Sequence, residues 1–181
     1  QMCIRDRSYI KSGIRTKHMV SNIDLVPTAL ELAKIEPSEN YNIDGRSMVP
    51  LLQGKDEPIH NSLYFELGAT RAILKDGKKY LAFKAPENVK NRLEKNGKKA
   101  THICDKPGGR GSEKRALKFY AKNYFTQDQF YDISKDPFEQ DNGYKSTFNE
   151  DLVEELKLEL KNYIDDLPGT FPLSISKPII K

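Results

Sequence analysis

The side chains able to do chemistry are few and scattered. The 181-residue chain holds three histidines, His18, His60 and His102, and two cysteines, Cys3 and Cys104. His102 and Cys104 stand close enough in sequence to share a metal ion, but two ligands do not close a site. One cysteine pair at most makes no disulfide framework and says little about compartment. Charge is the sharper signal. Between Lys90 and Lys122 eleven Lys or Arg meet three acids, net +8, and between Thr126 and Asp166 twelve acids meet four bases, net −8, within an overall charge of +4. The basic stretch is either a solvated loop attracted to an acidic helix or a surface for an anionic ligand. Phe119, Tyr120, Tyr124 and Phe125 lie close to it and could stack on bases, as in single-strand binders. Their spacing is that of core residues, and no nucleic-acid motif accompanies them, so nucleic acid is not the expected partner.

The elements that must position these groups follow from pattern. With 37% hydrophobic and 31% charged residues, the chain is polar but able to build a core. No apolar run approaches the ~20 residues of a membrane helix, so no membrane partner is expected. Ile23 to Ala33 reads as a helix, with Asp24 as N-cap and Pro27 in the first turn, where its missing N–H costs nothing. Ser47 can cap a short helix through Leu52, ended by Gly54. Then the period shortens. Ser62 to Glu66, Arg71 to Leu74, Lys79 to Phe83 and Gln129 to Ile133 read as strands. Asp76-Gly77 between the second and third is a hairpin signal, because both residues tolerate positive φ. Glu87 to Lys98 has helical character, Pro107 to Gly111 is a break, and Asp136-Pro137 closes the last strand. A helix is expected over 150–166, capped by Asn149, with Leu152, Leu156, Leu160, Tyr163 and Leu167 as its apolar stripe. The order reads as α+β.

Three segments, in order, resemble the C-terminal region of the type I, formylglycine-dependent sulfatases of the alkaline-phosphatase superfamily. The first is Ile23-Asp24-Leu25-Val26-Pro27-Thr28-Ala29-Leu30-Glu31-Leu32-Ala33, followed by Asp44-Gly45-Arg46-Ser47-Met48-Val49-Pro50-Leu51-Leu52-Gln53-Gly54. The second is Leu63-Tyr64-Phe65-Glu66-Leu67-Gly68-Ala69-Thr70-Arg71-Ala72-Ile73, then Lys79-Tyr80-Leu81. The third is Gln129-Phe130-Tyr131-Asp132-Ile133, then Asp136-Pro137-Phe138-Glu139-Gln140-Asp141-Asn142. Lys34 stands where the family commonly has glycine. The resemblance implies the end of an α/β catalytic domain over residues 8–58. It implies a subdomain over 59–181, with a four-stranded antiparallel sheet packed on the C-terminal helix and the basic loop at 90–122. Residues 1–7 read instead as a translated sequencing adapter, which would make Cys3 an artefact.

The resemblance also implies chemistry: a formylglycine made from Cys or Ser in a Cys/Ser-x-Pro/Ala-x-Arg motif, and a calcium ion held by oxygen ligands. In Cys104-Asp105-Lys106-Pro107-Gly108-Gly109-Arg110 the proline falls one position late and the arginine two, and Cys3 has Arg7 but no intervening Pro or Ala. Neither is assigned a catalytic role, and the chain alone is expected to be inactive. The implied partners are an N-terminal catalytic domain and a sulfated small molecule or glycan, and the implied location is periplasmic or secreted. A phosphonate or phosphate ester hydrolase and a stand-alone module for anionic polymers are the alternatives. His60, Glu66 and Arg71 flank or lie within the strand pair that resembles the family's substrate-shaping region and are the candidate substrate-binding residues. His60 and His18 are read as exposed loop residues. Arg71 could grip a sulfate or carboxylate with both guanidinium arms, or it could simply pair with Glu66. The apolar face of the 25–33 helix is expected to be uncovered, because it should pack on the catalytic domain.

Overall fold

The structure, a computed structural model, describes residues 10, 13–68, 70–84, 128–145, 150–169, 171 and 173. The basic stretch 90–122, Cys3, His102, Cys104, Asn149 and the helical pattern at 87–98 lie outside the described residues. The chain divides into two compact units, residues 1–63 and 64–181.

In the first unit a 3-10 turn, Asn22–Asp24, runs into helix α1, Leu25–Ala33, and a short helix α2 spans Val49–Leu52. Two side chains of α1's start hold the loop that leads to α2. Thr28 is buried, and its hydroxyl donates to the Asp24 carbonyl at 2.6 Å and accepts the Met48 N–H at 2.8 Å. One turn earlier, the Asp24 carboxylate accepts the Arg46 N–H at 2.9 Å. Residues 24 and 28 share a helix face, so they meet backbone donors two residues apart on an extended segment. This requires Gly45 to lie against the turn: a Cβ there would sit 2.2 Å from the Ile23 carbonyl oxygen. The Asp24…Thr28 and Asp44-Gly45-Arg46-Ser47 segments are therefore two halves of one joint. Lys34 closes α1 in a left-handed conformation, φ 56°. With Lys34 turned this way the next N–H, from Ile35, reaches back to the Leu30 carbonyl at 2.9 Å, a closure that a left-handed residue, usually glycine, makes possible at this position.

The second unit is a four-stranded sheet in the order β1 (Leu63–Leu67), β2 (Thr70–Lys75), β3 (Lys78–Phe83), β4 (Asp128–Asp132), with helix α3, Glu150–Asp166, packed on it. The β2–β3 hairpin turns at Asp76 and Gly77, φ 49° and 70°, the paired positive φ of a type I′ turn. Its register places Ile73 opposite Tyr80, and β3 in turn places Tyr80 opposite Phe130, both pairs antiparallel. That row meets Val153, Leu156 and Leu160 of α3 to form the core. The other face of the sheet is buried too, at Ala72, Phe83, Gln129 and Tyr131. Both faces of the central strands are thus removed from water, which suits their mostly apolar sequence.

Strand β4 ends the sheet, and the third sequence segment covers its edge. The Asn142 side chain accepts the Phe130 N–H at 3.0 Å and donates to the Asp128 carbonyl at 3.2 Å, so one amide imitates a neighbouring peptide. The Gly143 N–H completes the imitation at the Phe130 carbonyl, 2.9 Å. Asp136 fixes the loop by accepting the Asp141 N–H at 2.8 Å. An edge covered in this way offers fewer free groups to recruit another strand.

Candidate functional site

Two clusters contain the candidate residues, one in each unit. In the first, His60 is buried, and this corrects its reading as an exposed loop residue. Its Nε2 lies 2.9 Å from both carboxylate oxygens of Asp24, which is itself fully buried. An ionised carboxylate only accepts, so Nε2 must carry the proton. Asp24 also accepts the Ser21 N–H at 2.6 Å in addition to Arg46. Asp24 was expected to cap α1, but its carboxylate makes no capping bond to that helix and instead ties together residues 21, 46 and 60. Burial by itself would raise the Asp24 pKa. The N–H groups of Arg46 and Ser21, with His60, outweigh it and hold the pKa below the usual carboxylate value. The Arg46 guanidinium adds a bond to the Ile59 carbonyl at 2.8 Å, fixing the residue beside His60. His18, also read as exposed, is half-buried and bonded to Asp56 at 2.8 Å. Nothing in the Asp24–His60 joint is open to a ligand, and its chemistry is that of a structural tie.

The second cluster lies on β1 and β2. Arg71 is neutralised by Glu66, Nη2 to Oε1 at 2.8 Å. Its Nη1 donates to the carbonyls of Gly68 and Thr70, at 2.8 and 3.0 Å, and the guanidinium lies over the Phe171 ring at 4.9 Å. The other Glu66 oxygen accepts the Tyr64 hydroxyl at 2.8 Å. The Tyr64 ring stacks on Tyr163 of α3, centroids 5.6 Å apart and planes 12° apart. Burial, then the bond to Glu66, pushes the Tyr64 phenol up to about 12, so it stays a donor throughout the physiological range. The structure thus brings Glu66 and Arg71 together and leaves His60 in the other unit. Strand alternation puts Tyr64 on the same face as Glu66 two residues on, but no spacing could reveal Phe171, which lies a hundred residues beyond Arg71.

Among the described residues no three His, Cys, Asp or Glu side chains gather into a group that could hold a metal ion, and no helix is long and apolar enough to cross a membrane. The calcium implied by the resemblance therefore finds no donor set in these residues.

Comparison with known proteins decides the family. The model of the N-sulphoglucosamine sulphohydrolase C-terminal family matches residues 1–76. An ulvan-active sulfatase of Formosa agariphila is 29% identical over 163 residues, 81% of this chain. Human steryl-sulfatase is 31% identical over 140 residues, 72% of this chain. This chain is a sulfatase C-terminal region. It spans 30% and 21% of the lengths of those two relatives. The fold agrees. A solved structure in complex with its substrate D-glucosamine-2-N,6-O-disulfate superposes with a TM-score of 0.56 at 19% identity, over 89% of this chain and 28% of the other. The three sulfatase-like segments are accordingly the α1–α2 joint, the β1–β2 strands with the start of β3, and the β4 edge with its covering loop.

Proposed function

We propose that this chain is the substrate-shaping C-terminal part of a sulfuric ester hydrolase that acts on sulfated carbohydrate, and that it is inactive alone. Its alignment along most of its length with two sulfatases, of which it spans less than a third, carries this reading. In it, the first unit ends the catalytic domain, and the nucleophile and the calcium belong to the remaining polypeptide of the full-length enzyme. That enzyme is secreted or periplasmic in this reading. Sulfated sugar as substrate is supported by a family model built on N-sulphoglucosamine sulphohydrolase and by a structural neighbour bound to a glucosamine disulfate.

The apolar surface of the first unit supports the docking. Ile23, Leu25 and Val26 are 48%, 60% and 47% exposed, with Val20 beside them in sequence and exposed as well. A helix that turns its apolar residues outward is normally covered in the working protein, and in this reading the remainder of the catalytic domain covers it. Of the three candidate substrate residues, Glu66 is the one that reaches solvent, Arg71 is paired with it, and His60 is buried against Asp24 in the other unit.

The test is a substrate panel on the full-length polypeptide. Hydrolysis of 6-sulfated glucosamine and aryl sulfate well above aryl phosphate and phosphonate esters is expected. A preference for phosphonate or phosphate esters would replace the sulfatase reading with the related hydrolase.

A further inference from the structure

We propose that Asn142 is a deamidation site that the fold holds shut, and that its reaction irreversibly uncovers the edge of β4. This edge chemistry is independent of the substrate reading above.

Asn142 is followed by Gly143. Glycine has no side chain to hinder its nitrogen, and its backbone is the most permissive, so an Asn-Gly pair in an open chain reacts with itself. The Gly143 nitrogen attacks Asn142 Cγ and a new C–N bond closes a five-membered succinimide. The Cγ–Nδ2 bond breaks, and the leaving group takes the Gly143 proton and departs as ammonia. Water then opens the ring at one of its two carbonyls, leaving aspartate or isoaspartate.

In the folded chain the groups of that reaction are held. Attack comes at the face of the amide, so the amide plane must turn. Oδ1 accepts the N–H groups of Phe130 and Tyr144, both at 3.0 Å, and Nδ2 donates to the Asp128 carbonyl at 3.2 Å. The Gly143 N–H is itself engaged with the Phe130 carbonyl at 2.9 Å. Turning the amide and releasing that nitrogen therefore means lifting the loop off β4. Deamidation is much slower than such local opening, so its rate follows the population of the opened loop. Asp136 limits that population, because its carboxylate accepts the Asp141 N–H and its carbonyl the Glu139 N–H.

The product cannot rebuild the edge cover. A carboxylate only accepts, so the Asp128 carbonyl loses its donor and faces an anion. Isoaspartate also adds a methylene to the main chain, which moves the Gly143 N–H out of step with the Phe130 carbonyl.

The experiment follows the exchange of NH2 for OH at residue 142 by peptide mapping and mass spectrometry. It uses the full-length polypeptide at mildly alkaline pH, folded and in denaturing urea, as wild type, Asp136→Ala and Gly143→Ala. Mapping separates Asn142 from the other Asn-Gly pair, Asn96-Gly97. The folded wild type should react at least about tenfold more slowly than the unfolded one. Asp136→Ala should speed the folded rate severalfold and leave the urea rate unchanged. Gly143→Ala should slow the urea rate, as a succinimide route requires. The Phe130 amide should exchange faster in the deamidated protein. A folded rate equal to or above the urea rate, or a deamidated protein whose Phe130 amide stays protected, overturns the proposal. Should Asp136→Ala fail to fold, wild type in rising sub-denaturing urea decides: the rate must climb with the opened population, and a flat rate overturns the proposal.

Discussion

Replacing Asp24 with alanine tests the joint that organises the first unit. The carboxylate accepts backbone N–H groups from Ser21 and Arg46 and the His60 ring at 2.6 to 2.9 Å, and it is fully buried. Hydrogen bonds to a charged group contribute about 1.5–3 kcal/mol each, and a buried donor left without a partner costs about 1–3 kcal/mol. Three donors lose their acceptor together. Their losses are not additive, and breaking a buried hydrogen-bond network of this kind costs about 3–5 kcal/mol in all. That is comparable with the whole stability of a small unit, about 5–15 kcal/mol. Asp24→Ala should therefore unfold the first unit while the sheet of the second persists. Urea titration followed by circular dichroism, with amide exchange read at Arg46 and Met48 against Tyr80 and Phe130, resolves the two. Thr28→Val, which removes the parallel tie to Met48, should weaken the same amides by less. A loss under ~1 kcal/mol in Asp24→Ala, with Arg46 still protected, would refute the idea that this carboxylate holds the three segments together.

The same carboxylate fixes a pH dependence. Its pKa is lowered in the folded chain, so its contribution is present above the unfolded value of about 3.9 and is lost as pH falls through the folded value; urea midpoints between pH 6 and 2 should fall more steeply for wild type than for Asp24→Asn. Asn142→Ala uncovers the Phe130 N–H and the Asp128 carbonyl at the sheet edge and should cost about 2–3 kcal/mol, with concentration-dependent aggregation visible by light scattering. Lys34→Gly relieves a left-handed lysine and should raise stability by roughly 0.5–1 kcal/mol, read as a higher urea midpoint. Leu160→Ala, at the centre of the second unit's core, should cost about 2–5 kcal/mol and lower the thermal midpoint.

Local elements were legible because their signals are local. Asp76-Gly77 sets a turn whatever surrounds it, and the Leu152–Leu160 stripe on α3 needs only one sheet to face. The helix 150–166 matches its expected span, and the strands match to within one residue at most ends. The role of Asp24 was not legible, because its partners Arg46 and His60 lie 22 and 36 residues away. As a candidate cap it had an adequate local explanation, and that explanation concealed the tertiary one. The exposed reading of His60 failed for the same reason: an isolated histidine between Pro58-Ile59 and Asn61-Ser62, after the charged Lys55-Asp56-Glu57, gives no sign of a buried carboxylate waiting for it. A clue existed in the i,i+4 spacing of Asp24 and Thr28 beside an Asp-Gly turn, but only the close approach of Gly45 to Ile23 turns it into a contact. Arg71 and Glu66 were legible as a possible pair. That the pairing leaves Glu66 outermost depends on Phe171 and Tyr163, which sequence could not place.

The most direct test of the central claim compares sulfate ester turnover by three proteins: the full-length polypeptide, the same polypeptide lacking residues 8–181, and this chain alone. Turnover is expected from the first, severe loss in the second and none in the third. Turnover by this chain alone, or full activity without it, would contradict the assignment of the chain as a substrate-shaping part that carries no catalytic machinery of its own.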